Sequence, residues 1–123
     1  MNRTLFECAE PILNVSDMAR SLQYYVEVLG FTNADWGGPD FTRVGRDDAG
    51  IYLCEGDQGH AGTWVWIGVE DVAALYDEYR DSGAAICSAP MNHSWAYEMQ
   101  VEDPDGHILR FGSEPKEDLP FEP

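Results

Sequence analysis

Three histidines, three cysteines and one arginine beyond a tight turn are the residues of this chain that could do chemistry. His60 and His93 fall in predicted loops. His107 follows the turn Asp103-Pro104-Asp105-Gly106 and is expected to face solvent. None has a second histidine four residues on, as a helical HExxH zinc site needs. Cys8, Cys54 and Cys87 are widely spaced without a CxxC pair, which reads as reduced structural thiols in a cytoplasm. Ser94 and Ser113 lack a GxSxG setting, and the runs GRDDAG and GGPD lack the Lys-Ser/Thr of a phosphate loop. Nucleophilic catalysis finds no support. What remains is Arg110 and a set of aromatic side chains.

Arg110 sits in WAYEMQVEDPDGHILRF, Trp95 to Phe111, which reads as a strand, an acidic turn and a second strand. Proline presets the turn and glycine closes it. Trp95, Tyr97, Met99 and Val101 share one face of the incoming strand. A turn centred on Pro104-Asp105 would place Val101 opposite Ile108 and Met99 opposite Arg110, so that a buried face carries one arginine.

The elements that must position these residues fit one domain spanning 1–123. Acidic residues number 23 against 7 basic, a net charge of −16 that argues against nucleic acid or an anionic membrane. The same charge suits either a cationic ligand or a saline environment. No apolar run approaches the roughly 20 residues of a membrane span. Ser16-Asp17 can cap a helix ending at Gly30, and Asp71 one ending at Gly83. Strands are expected at 8–15, 31–36, 40–45 and 51–54, then at 63–69, 84–89 and along the hairpin.

The halves repeat. Val15 and Val69 stand 54 apart, as do Asp17 and Asp71; Gly30 and Gly83 stand 53 apart, and Gly50 and Gly106 stand 56 apart. This is a duplicated β-α-β-β-β unit, module one at about 8–57 and module two at about 62–113, with an acidic, proline-containing tail at 114–123 expected to lack regular structure. The expected fold is α+β: two tandem βαβββ modules forming a curved, cup-shaped mixed sheet of about eight strands, with the helices outside.

The runs PILNVSDMARSLQYYVEVLGF and DPDGHILRF resemble the vicinal oxygen chelate superfamily of glyoxalases, bleomycin-resistance proteins and dioxygenases, across about residues 8 to 113. FTRVGRDD, TWVWIGVEDVAALYDEY and SWAYEMQVEDPDG resemble the bleomycin-resistance branch most. In many members the resemblance implies four metal ligands lining the cup. Those positions here hold Glu10, Cys54, Trp64 and Arg110. Tryptophan offers only an N–H and arginine is a permanent cation, so neither can coordinate, and no metal or other cofactor is expected. Arg110 could pair with Glu10 or another carboxylate, contact a ligand, or do both.

The same resemblance implies ligand contacts at Asp35 and Trp36, an acid–aromatic pair, at Phe41, and at Trp95 in a loop. Trp64 and Trp66 are read first as packing on a central strand, and only Trp64, at the ligand-equivalent position, as a candidate to face the cup and contact ligand. Planar rings stack on a flat heteroaromatic group, and a cationic tail gains from aromatic faces and carboxylates. Pro11 resembles a proline at which the first strand crosses to a partner, which implies a homodimer. The expected function is metal-independent binding of a cationic, partly planar compound such as a bleomycin-type antibiotic. The alternatives are a metal-dependent lyase or dioxygenase of the same superfamily, and a metabolite-binding member that holds an anion through Arg110.

Overall fold

The computed structural model describes residues 3–123. Each half of the chain forms a four-stranded sheet with a helix against it. The first half runs β1 (Ile12–Asn14), α1 (Met18–Leu22) continuing into a π-helical stretch (Gln23–Val28), β2 (Thr32–Asn33), β3 (Phe41–Arg46) and β4 (Ala49–Cys54). The second runs β5 (Trp64–Gly68), α2 (Val72–Ser82), β6 (Ala85–Asn92), β7 (Tyr97–Glu102) and β8 (Ile108–Ser113). Strand orders are β1-β4-β3-β2 and β5-β8-β7-β6, with β1 parallel to β4 and β5 parallel to β8.

Cap chemistry explains the helices. Asp17 accepts from the Arg20 N–H and Asp71 from the Ala74 N–H, each three residues into its helix. Gly83 closes α2 in the left-handed conformation (φ 88°). The first helix differs because it holds one residue more between cap and glycine than the second. That residue is absorbed by widening the last turns: the Leu29 N–H bonds to Tyr24 O and the Phe31 N–H to Tyr25 O, further back than an α-helix reaches. The drop in repeat spacing from 54 to 53 is this insertion.

Three expectations about the fold fail. The cup-shaped sheet of eight strands does not form: the strands make two separate four-stranded sheets, neither closed nor strongly curled. β1 and β5 are edge strands, each paired on one side only with its own module's last strand. The modules instead join through side chains. Tyr25 Oη donates to the buried Asp103 carboxylate at 2.8 Å, Tyr79 Oη to Leu29 O at 2.7 Å, Ser82 Oγ to Val28 O at 2.7 Å, and Arg46 forks onto Glu78 at 2.7 and 2.9 Å. Burial pushes the Tyr25 phenol well above its usual range and raises Asp103. His107 is fully buried rather than solvent-facing: its Nδ1 accepts from the Thr63 N–H at 3.0 Å, which leaves Nε2–H to donate to Asn14 O at 2.7 Å.

The hairpin register is also displaced by one residue. Val101 faces Leu109, Met99 faces Phe111, and Arg110 faces Gln100. The turn is longer than two residues: the Gly106 N–H bonds to Asp103 O, Gly106 adopts φ 77°, and the Asp103 N–H bonds to His107 O. That is a type I turn with a left-handed glycine bulge, and its extra residue turns Arg110 away from the core. Met99, Val101, Leu109 and Phe111 form the buried face. Residues 114–123 contain no helix or strand but fold back against Asn92.

Candidate functional site

Alternation along the strands leaves each sheet one face not covered by its helix, and those faces carry the exposed aromatics. On the first sheet, Thr42, Val44, Ile51 and Leu53 point into the core, so Phe41, Arg43, Gly50 and Tyr52 point out. Phe41 stacks on Tyr52 with ring centroids 5.5 Å apart and planes 17° apart; Trp36 leans on both at 6.3 Å. Beside them Arg43 grips Glu10 with two bonds of 2.7 Å. These bonds hold the Glu10 carboxyl below its ordinary range against the opposing effect of desolvation. Gly50 makes room for the pair, since a Cβ there would overlap the Arg43 guanidinium and the Glu10 carboxylate.

The second sheet repeats the design with different residues. Val65 and Ile67 turn inward, and Trp64 (60 % exposed) and Trp66 (51 %) both turn outward. Trp66 lies over Gly112, where a Cβ would collide with its six-membered ring. The Arg110 guanidinium carbon sits 5.6 Å from the Trp66 ring centre. Glu98, 4 % exposed, accepts from Arg110 Nε at 2.9 Å and Nη2 at 2.7 Å, and from the Trp95 indole N–H at 3.0 Å. Arg110's bonds hold the Glu98 carboxyl below its usual range. Trp95 also stacks flat on His93, with centroids 4.4 Å apart and planes 5° apart. A hollow of about 280 Å³ joins the faces where Glu10 and Gly50 meet Trp66 and Gly68.

The sequence-selected residues thus divide between two clusters. Trp36 and Phe41 share the first face, with Asp35 exposed next to Trp36 in the chain. Trp64, Trp95 and Arg110 belong to the second. Four residues escaped sequence reasoning: Tyr52, Arg43, Trp66 and Glu98. Strand alternation was the available signal for Tyr52, Arg43 and Trp66; Glu98 required the bulged hairpin register.

The four metal-equivalent positions do not fit an ion. Both Glu10 oxygens are taken by Arg43, and Arg110 is locked onto Glu98. Trp64 can only donate, and the parallel pairing sets Cys54 beside Asn14 and Arg110 beside Trp66. Among the described residues no group of three or more His, Cys, Asp or Glu could hold a metal.

A profile described as the Glyoxalase/Bleomycin resistance protein/Dioxygenase superfamily matches residues 4–111. The chain belongs to that superfamily. The chain is similar to a probable lactoylglutathione lyase of Synechocystis sp. (strain ATCC 27184 / PCC 6803 / Kazusa), 31% identical over 115 residues, spanning 80% of this chain and 88% of that protein. Among solved structures, the bleomycin-binding protein of bleomycin-producing Streptomyces verticillus, complexed with copper(II)-bleomycin, is 26% identical at a TM-score of 0.77, covering 93% of this chain and all (100%) of that one. An antibiotic-binding protein from Streptomyces sp. CB03234 shares the fold at a TM-score of 0.76 and 22% identity, over 94% of this chain and 100% of that one. At the positions where metal ligands are expected in this superfamily, the chain holds two ion-paired residues, Glu10 and Arg110, with Cys54 and Trp64.

Proposed function

We propose that this superfamily member binds, without a metal, a small organic molecule that is part cationic and part flat, of the bleomycin type. The carrying observation is the second sheet face, where half-exposed Trp66 and Trp95 flank the Glu98–Arg110 pair at a metal-equivalent position and Trp64 stands exposed on the same strand as Trp66. Flat heteroaromatic groups gain on indole faces by about 1 kcal/mol per good contact beyond area burial. A cationic arm gains from indoles and from the carboxylate surplus, which also speeds encounter. The similarity to the Streptomyces verticillus protein supports this choice of ligand. An anion held by Arg110 is disfavoured because Glu98 already fills its fork.

Two copies would complete the site, the aromatic face of one chain meeting that of its partner. Trp36, Trp64 and Trp95 are each about 60 % exposed, and Leu5 and Phe6, ahead of Pro11, are almost wholly so. Surface of this kind supports a homodimer, with the segment before Pro11 passing to the partner.

Tryptophan fluorescence titrated with bleomycin tests the reading. Saturable quenching, weakened by Trp95→Ala and unaffected by chelator, is expected. No quenching at high drug, or a stoichiometric divalent ion in purified protein together with lactoylglutathione lyase activity, would favour the enzymatic alternative.

A further inference from the structure

The C-terminal segment is tied to the loop that carries Trp95. Asn92, 4 % exposed at the end of β6, acts as a two-way clamp: its Oδ1 accepts from the Lys116 N–H at 2.8 Å, and its Nδ2 donates to Lys116 O at 2.8 Å and Leu119 O at 3.1 Å. The chain then returns so that the Glu122 N–H bonds to Asn92 O at 2.6 Å and Glu122 O lies 3.3 Å from His93 Nδ1. His93 is the ring that stacks on Trp95, and the Trp95 indole continues the chain of contacts to Glu98 and Arg110. The four-residue loop 93–96, closed by the His93 N–H on Ala96 O, is thereby held from both ends. At the start of the segment, Glu114 lines a hollow of about 460 Å³ together with Trp66, Trp95 and Gly112.

This arrangement has a physical logic. Loop aromatics bind well when they are held in place before the ligand arrives. Pro115 and Pro120 flank the clamped turn and restrict the free segment, which reduces the entropy lost on fastening it. The segment carries Glu114, Glu117, Asp118 and Glu122 against a single lysine, and Glu114 lines the hollow beside Trp95. That lysine, Lys116, is turned aside onto the Tyr97 ring, 5.2 Å from its centre.

We propose that residues 114–122, fastened by Asn92, form a wall of the Trp95 site: they position the His93–Trp95 stack and supply carboxylates that select a cationic ligand. The proposal rests on the ligand reading above. Asn92 is a positioning residue, and Glu114 is the segment's contact in the hollow.

Two variants, Asn92→Ala and a chain ending at Pro115, would be compared with the full chain. The first readout needs no ligand: the Trp95 indole N–H resonance, assigned with Trp95→Phe. The second is bleomycin affinity by fluorescence at low and high salt. Both variants should shift or broaden the indole resonance and bind bleomycin at least tenfold more weakly. Truncation, and Glu114→Gln to a smaller degree, should also flatten the salt dependence, which loss of folding order alone would not do. An unmoved indole resonance, or full affinity in both variants, would overturn the proposal. If the resonance moves while the full chain fails to bind bleomycin, the positioning stands and the ligand reading falls.

Discussion

Glu98→Gln is the most informative single substitution. It conserves shape but removes the charge that holds Arg110 and Trp95 together. Glu98 accepts three charge-assisted hydrogen bonds in a pocket that leaves it 4 % exposed. Hydrogen bonds to charged groups contribute about 1.5–3 kcal/mol each, but Arg110 is one-third exposed and recovers much of its hydration. A glutamine can keep one acceptor and must turn its amide N–H groups toward a guanidinium. The net cost is therefore about 2 kcal/mol, a fall of roughly 6–10 °C in Tm for a chain of this size. The pH dependence gives an independent check. The Glu98 pKa is lowered in the folded state, so its stabilisation is present at neutral pH and is lost as pH falls below 4.5 through the folded value. Glu10 and Glu78 behave alike in both proteins and cancel in the difference. Thermal unfolding followed by circular dichroism from pH 7 to about pH 3 should show the gap between wild type and Glu98→Gln closing on acidification. A gap that is absent at neutral pH, or that persists undiminished in acid, would refute the reasoning.

Gly112→Ala places a methyl under the Trp66 ring and must lift that indole from the sheet. Bleomycin affinity should fall about tenfold or more, while Tm drops modestly because the ring is half exposed; an unchanged titration would show that Trp66 is not part of the ligand surface. Tyr25→Phe removes the donor to Asp103 across the module junction and should cost about 1.5–3 kcal/mol by urea unfolding, with little effect on ligand binding until the fold is lost.

How much could be read in advance depends on the distance over which each feature is encoded. The caps at Asp17 and Asp71 and the stop at Gly83 act within three or four residues, so composition reveals them. The π-helical widening was latent in the repeat, as one residue too many between Asp17 and Gly30. His107 departs from the expected solvent-facing position because its burial depends on Asn14, far away in sequence, and on Thr63. Trp66 departs from the expected packing role because its alternation with Val65 and Ile67 places it beside Trp64; which face the helix covers decides the matter.

By itself, then, the sequence determined the duplicated module, the helix limits, and the side-chain chemistry at the four positions where the family resemblance implies metal ligands. Those are properties of residue type and local spacing. Tertiary structure decided who pairs with whom. A single left-handed glycine bulge at Gly106 moved Arg110 from the core face to the open face and so gave it Glu98 as partner. Edge strands paired on one side only kept the sheets apart, and junctions through Tyr25, Tyr79 and His107 set their relation. Strand register has a period of two, so one inserted residue reverses every side chain beyond it, and only the closed turn shows which way they point.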